Sequence, residues 1–244
     1  MDERAKERDK HEKALYEEKM RAREEQAHNT GRKPRGREPK PPIPGARDTD
    51  QYNFTDPQSR IMKNSRDGGF DQSYNVQAAV DQDTLLIVGN HLSNHPTDHA
   101  EALPTVDAIP EQIGTPKAAA LDCGYCTPAN IAGLAERKID PYIATGREAH
   151  HYDWKAALAQ PAPLPPEDAP PRVKMAFKLQ TDIGQAIYRL RKSTVEPVIG
   201  IIKEVIGFTQ FSLRGIVAAA GEWSMVCLAF NLKRLHVLQI ARGF

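Results

Sequence analysis

Apolar and polar positions are spread unevenly along this 244-residue chain. Residues 2–25 mix both charge signs among helix formers with no sustained apolar stripe, which predicts a solvated helical arm. Residues 31–44, GRKPRGREPKPPIP, are basic and proline-rich and predict an extended linker. Residues 53–71 read as loop, punctuated by Asp56-Pro57 and Gly68-Gly69. From Tyr74 a period of two sets in. YNVQAAVD and TLLIVGNH predict two strands that turn at residues 81–83 into an antiparallel hairpin. A helix is predicted over residues 99–114. Ala118 to Leu121 then read as a buried strand ending on Asp122, and Gly124 permits a sharp turn. Thr127-Pro128 supplies an N-cap and a first-turn proline for a helix to Lys138. IDPYIA, residues 139–144, predicts a short strand near an edge, because Pro141 cannot donate to a ladder. Six prolines in residues 160–171 predict an irregular surface loop. Residues 172–207 are patterned as helix. Residues 222–240 predict a strongly apolar helix whose Trp223, Val226, Leu228, Phe230, Leu232 and Leu235 cover the sheet or a partner. Hairpin, helix, strand, helix and strand in this order predict an α/β fold, a mixed sheet flanked by helices.

Composition sharpens the picture in two ways. The apolar fraction is 40% and the charged fraction 27%, and the apolar shortfall falls in the first fifty residues. The net charge is +1, so no global field draws the chain to DNA or to a membrane. Nucleic-acid affinity must then come from local basic patches, such as Arg32, Lys33, Arg35 and Arg37 in the linker. Three cysteines and no apolar leader predict a reducing, cytoplasmic setting. No window reaches about 18 uninterrupted apolar residues, so no membrane span is expected.

Two places carry candidate chemistry. Asp122 sits at the carboxyl end of a predicted strand, where open α/β sheets place their reactive groups. Cys123 and Cys126 beside it form a C-x-x-C at a helix start, the setting of a thiol redox pair. These cysteines with His91, His95 or His99 also have the ligand types of a zinc site. Cys227 reads as core. The second place is YRLRKSTVEPVIGIIK, residues 188–203. Glu196 lies there among Tyr188, Arg191, Lys192 and Lys203, with Lys192 four residues before it and Lys203 seven after. Pro197 predicts a helix that bends there or begins just before, with Ser193 as cap. Such a carboxylate among cations is either an ion-paired surface or a metal ligand beside a phosphate-binding set. Asp122 and Glu196 together are the parts of a Mg²⁺ phosphoryl-transfer site, in which two ions roughly 3.5–4 Å apart flank the phosphate.

Eight stretches in order carry a resemblance: GRKPRGREPKPP, NFTDPQSRIMK, YNVQAAVD, LDCGY, DPYIATGR, YRLRKSTVEPVIGIIK, GFTQFSLRG and EWSMVCLAFNLKRL. Between about Gly31 and Leu238 the chain resembles the DDE transposases of bacterial insertion sequences, which have an RNase H-like catalytic core. The resemblance implies that Asp122 is the second catalytic aspartate and Glu196 the catalytic glutamate. Both would be ligands of Mg²⁺ or Mn²⁺. Tyr188, Arg191 and Lys203 match the family's tyrosine–arginine–glutamate–lysine signature, which would hold DNA. The gap from Arg191 to Glu196 is one residue longer than the general form, so Lys192 is the alternative cation. The implied layout is a charged arm over 1–30, a basic linker over 31–52 and a partial catalytic domain over 53–240. The implied partners are the ends of an insertion sequence and a second copy or a full-length transposase. Cys123 stands where a small residue such as alanine is usual.

The family's first aspartate sits on the first sheet strand, ahead of the charged helical insert. Neither that strand nor that aspartate is identified here, and Asp56, Asp71 and Asp81 fall at the wrong places to substitute. The resemblance therefore implies a C-terminal fragment with weak Mg²⁺ binding and little or no DNA cleavage or strand transfer alone. The competing readings are a non-catalytic remnant that binds DNA or the full-length transposase, and a thiol oxidoreductase built on Cys123 and Cys126.

Overall fold

A computed structural model describes residues 2–31, 36–45, 47, 52–63, 68–146 and 164–241. Arg32, Lys33, Arg35 and residues 160–163 lie outside these, and so do the expectations placed on them. The chain divides into two compact units, residues 1–54 and 55–244.

In the first unit the mixed-charge stretch is a single helix, α1 (Asp2–Thr30). Residues 37–44 have no regular structure, as their prolines dictate, yet they do not stand away as a tether. The Gly45 N–H donates to Asp9 at 2.7 Å, the Arg8 guanidinium donates to the Gly45 carbonyl, and Arg47 pairs with Glu12 at 2.6 Å. Pro39 and Pro42 face Leu15 and Tyr16 across a small cavity.

The second unit begins with a hairpin where a loop was expected. β1 (Arg60–Lys63) pairs antiparallel with β2 (Phe70–Ser73). β3 (Asn75–Val80) and β4 (Ile87–Ser93) form the expected antiparallel hairpin, with Gln77 opposite His91 and Ala79 opposite Gly89. Its turn is held by the Asp81 carboxylate, which accepts from the Thr84 N–H and hydroxyl at 2.8 and 2.6 Å. The helix expected over 99–114 is cut short. α2 spans only Ala102–Asp107, between single 3-10 turns at Asp98–Ala100 and Glu111–Ile113. Pro110 and Gly114, at φ 87°, explain why it does not continue.

β5 (Ala118–Leu121) pairs in parallel with β6 (Asp140–Ile143), and α3 (Pro128–Glu136) connects them. α3 starts as its sequence predicts: Pro128 is the first helical residue and the Thr127 hydroxyl accepts from the Asn130 N–H at 3.1 Å. The helical region after the proline-rich loop is two helices, α4 (Pro171–Gln180) and α5 (Asp182–Glu204). Thr181 breaks them apart by capping α5 at the Gly184 N–H, 3.0 Å away. A Cβ on Gly184 would lie 2.0 Å from the Lys178 carbonyl, so only glycine fits that corner. α5 runs on through Pro197, and Ser193 is not its cap, since that hydroxyl donates back to the Leu190 carbonyl at 2.9 Å.

The last helix, α6 (Ile216–Ala241), starts earlier than its apolar pattern suggested. Ala219, Trp223, Cys227 and Phe230 form its buried stripe at helical spacing. Leu228, Leu232 and Leu235, expected on the covering face, are instead exposed. By length and composition alone α6 could cross a membrane. Its stripe is built into a core, however, and the Trp223 indole N–H donates to the Gln77 carbonyl at 3.0 Å.

Among the described residues the single mixed sheet expected from the pattern is not formed. Among the described residues there are three two-stranded sheets, β1–β2, β3–β4 and β5–β6. Two cores match the last two. One gathers Ile87, Leu92, Val198, Ile202, Trp223 and Phe230, and the other Leu134, Ile139, Ile143 and Met175. α5 lies against β3, β5 and β6 and so joins them.

The stripe on α6 should dominate its contribution to stability. Trp223→Ala should lower unfolding free energy by about 3–5 kcal/mol through a lost core side chain. Met225→Ala, at a position 72% exposed, should change it by less than about 0.5 kcal/mol. Urea unfolding of the two variants beside the parent chain measures the contrast.

Candidate functional site

Asp122 follows β5 directly, so the strand's end fixes its backbone. Its own backbone is extended and caps the 3-10 turn Cys123–Tyr125, where one carboxylate oxygen accepts from the Cys123 N–H at 2.7 Å. The turn is tight. A Cβ on Gly124 would come within 3.1 Å of the Asp98 carboxylate, which accounts for the glycine. Tyr125, at the end of the turn, sends its hydroxyl to the Gln77 side-chain oxygen on β3. The Gln77 amide in turn donates to Asp98 at 3.0 Å, and so does Asn75 at 2.9 Å. Burial, helped by Asp98, pushes the Tyr125 hydroxyl well above its ordinary value, so it stays a donor. This network ties the start of β3 to the turn that carries Asp122. Sequence reasoning took Gly124-Tyr125 only as a turn and missed the tyrosine's reach.

The second carboxylate comes from α5. Tyr188, Lys192 and Glu196 follow one another at spacings of four and share one side of that helix, with Arg191 three residues after Tyr188 on its flank. Arg191 is the hinge of the arrangement. One terminal nitrogen lies 3.7 Å from Asp122 and the other 3.8 Å from Glu196. Two acidic residues far apart in the chain thus converge on a single guanidinium. The arginine side chain is only 17% exposed, whereas the two carboxylates are more than half exposed. The Tyr188 ring lies 5.5 Å from the guanidinium, within cation–π range. Lys192 is exposed on the next position. Lys203 does not join the group: it is exposed on the last turn of α5, about 10 Å further along the axis than Glu196.

The oxygen donors of Asp122 and Glu196 suit a hard divalent cation, and the guanidinium between them shows that positive charge is favoured there. Their number falls short of a full site. Among the described residues no three His, Cys, Asp or Glu side chains gather in a way that holds a metal.

That finding also removes the zinc expectation. His91 and His95 turn instead to Glu101, a carboxylate 1% exposed, at 3.3 and 2.6 Å. His99 lends only its backbone carbonyl, to Asn130 at 2.8 Å. The thiol reading loses support as well. Cys123 and Cys126 are free, and burial pushes the Cys126 thiol up, away from the reactive thiolate. Cys227 is buried in the core, with its thiol pushed up to about 12.

With this geometry in place, comparison with known proteins adds one finding. A family model described as a transposase DDE domain matches residues 42–232. No curated protein and no solved structure matches the chain.

The three other aspartates weighed above have separate duties or none at the site. Asp71 is exposed on β2, and Asp81 holds the hairpin turn. Asp56 is buried and accepts from the Tyr74 hydroxyl at 2.8 Å and the Gly215 N–H at 3.3 Å, pinning the chain ahead of α6 to the β1–β2 hairpin. Burial pushes its carboxyl up, but hydrogen bonds from Tyr74 and the backbone at Gly215, Gln58 and Ser59 outweigh this and hold it below its ordinary value. A depressed folded value stabilises the fold above the unfolded pKa and is lost as pH falls through the folded one. The stability lead of the parent over Asp56→Asn should therefore be full above about pH 4 and shrink below it, as read from urea unfolding at pH 7 and pH 3.

Proposed function

The chain belongs to the transposase DDE domain family, and on that premise we propose that Asp122 and Glu196 are the second aspartate and the glutamate of its DNA-processing site. The observation that carries this reading is the shared guanidinium. Arg191 lies within salt-bridge distance of both carboxylates, which come from the end of a strand and from a distant helix. Ion pairs between distant segments occur elsewhere in the chain, as Arg137 with Asp107 does. Here the pairing joins the two residues that the family's order of motifs singles out.

In this reading the substrate is a DNA phosphodiester at the end of an insertion sequence, on an RNase H-like core. Asp122 and Glu196 would hold Mg²⁺ or Mn²⁺. Such an ion supplies Lewis-acid polarisation of a phosphoryl oxygen and an activated water or hydroxyl. The chain's own residues orient the strand. Arg191 offers two terminal nitrogens beside both carboxylates, suited to a phosphate. Tyr188 braces the guanidinium, and Lys192 and, further along α5, Lys203 extend the basic track. A cytoplasmic setting and self-association, or association with a full-length transposase, belong to the same reading.

The reading extends to an incomplete site. No described strand lies between β3 and β5, where a first sheet strand and its aspartate would sit. With two carboxylates in place of three, Mg²⁺ binding is weak and strand transfer by this chain alone stays at background. The same observation favours a second reading, a non-catalytic remnant that still binds DNA. The two part on one comparison. If the chain cleaves a donor carrying the element's ends, Glu196→Gln should abolish cleavage and keep binding; a remnant shows no cleavage to abolish. Robust strand transfer by the unaided chain would overturn the incomplete-site reading.

DNA contact can be tested apart from chemistry. Arg191→Ala and Lys192→Ala should each weaken duplex binding uniformly across sequences and lower the slope of log affinity against log salt by about one. Fluorescence anisotropy at several salt concentrations measures both quantities. Unchanged affinity at low salt in both variants would remove them from the interface.

A further inference from the structure

Cys123 and Cys126 take no part in the site described above, yet the fold holds them at the two ends of one turn. That turn is built from successive i to i+3 bonds. The Tyr125 N–H donates to the Asp122 carbonyl and the Cys126 N–H to the Cys123 carbonyl, both at 3.1 Å. One 3-10 turn eclipses the side chains at i and i+3 and sets their Cα atoms about 6 Å apart. A disulfide spans Cα atoms roughly 4.4–6.8 Å apart, most often near 6 Å. The turn is also pinned from outside. β5 leads into it, Gly124 abuts Asp98, the Tyr125 hydroxyl reaches Gln77, and Thr127 caps α3 directly after it. Both cysteines are free and half-buried, so a small reagent has access to them. Cys126 packs against the second core, whereas Cys227 is 2% exposed in the first.

We propose that Cys123 and Cys126 are a modification site, a dithiol that a low-molecular-weight disulfide such as oxidised glutathione closes into an intramolecular disulfide. One cysteine loses its proton and attacks a sulfur of glutathione disulfide. The S–S bond breaks, and one glutathione leaves and takes up a proton. The second cysteine, likewise deprotonated, attacks the mixed disulfide and expels the other glutathione, which is protonated in turn. The two cysteines give up two electrons, and one glutathione disulfide is reduced to two thiols. Folding favours closure, because the turn already holds the two residues at bonding span and the unfolded chain must first lose loop entropy. For a ring of four residues that entropy corresponds to roughly twentyfold in the exchange constant. A thiol catalyst needs a ready thiolate. This pair needs a fixed span, so the proposal rests on geometry and not on thiol acidity. In a reducing setting the pair stays open. The ring begins at Cys123, whose N–H holds the Asp122 carboxylate at 2.7 Å, so oxidation clamps the turn beside the candidate site. The dithiol stands on the shape of the turn and holds whatever roles Asp122 and Glu196 have.

The test equilibrates the full chain with glutathione buffers of stepped thiol-to-disulfide ratio, once in native buffer and once in concentrated urea. Each equilibrium is approached from the reduced and from the oxidised chain. Trypsin releases residues 118–137, which carry both cysteines and no third, and mass spectrometry reads the loss of two hydrogens from that peptide. The native exchange constant should exceed the unfolded one at least about tenfold. A smaller ratio would overturn the proposal, since the fold would then not prepare the bond. So would a native chain that stays reduced at every buffer ratio, one that takes a glutathione on each cysteine without closing, or one that joins either cysteine to Cys227.

Discussion

One amphipathic helix holds the second unit together. α5 sends Val198 and Ile202 into the core shared with the β3–β4 hairpin and α6, and it also lies against β5 and β6. No backbone ladder joins those two half-sheets among the described residues. Their relation is therefore set by side-chain packing on α5 and by the small polar network of Tyr125, Gln77, Asn75 and Asp98. Packing of this kind is close and unforgiving of lost volume. A strand ladder adds directional bonds at every residue, and here that contribution is absent between the halves.

The same helix makes the candidate site. Because it crosses both half-sheets, a residue near its middle can reach the end of β5, and Arg191 does so. The ion pairs themselves contribute little stability, since both carboxylates are largely in water and the contacts are long. Their importance is positional. They show that the strand end and the helix bring two negative charges to one point and that a cation already stands between them. Tyr188 beneath the guanidinium and the Cys123 N–H on Asp122 restrict both sides of the pair.

Backbone accounting also bears on the strand that carries Asp122. Buried N–H and C=O groups must find partners, and an open edge is a standing demand for a strand. The strand that ends at Asp122 has one such edge unpaired among the described residues. An unpaired strand edge and the candidate site therefore meet at one place, in a chain of the transposase DDE domain family.

Local chemistry in the sequence determined a good deal. The β3–β4 hairpin follows from alternation and a turn aspartate, and α3 from Thr127-Pro128. The buried core cysteine follows from its apolar surroundings, and Asp122 at a strand's end from four small or apolar residues and a glycine turn. Each of these depends on neighbours within a few residues. What the tertiary structure alone decided depends on partners far along the chain. The β1–β2 hairpin has too few branched residues to announce itself, and Asp56 locks it through Tyr74 and Gly215. The buried face of α6 excludes Leu228, Leu232 and Leu235, because an all-round apolar helix does not say which side meets the core. The meeting of Asp122 and Glu196 at Arg191, and the division of the expected sheet into two halves, likewise rest on long-range packing that no local pattern encodes.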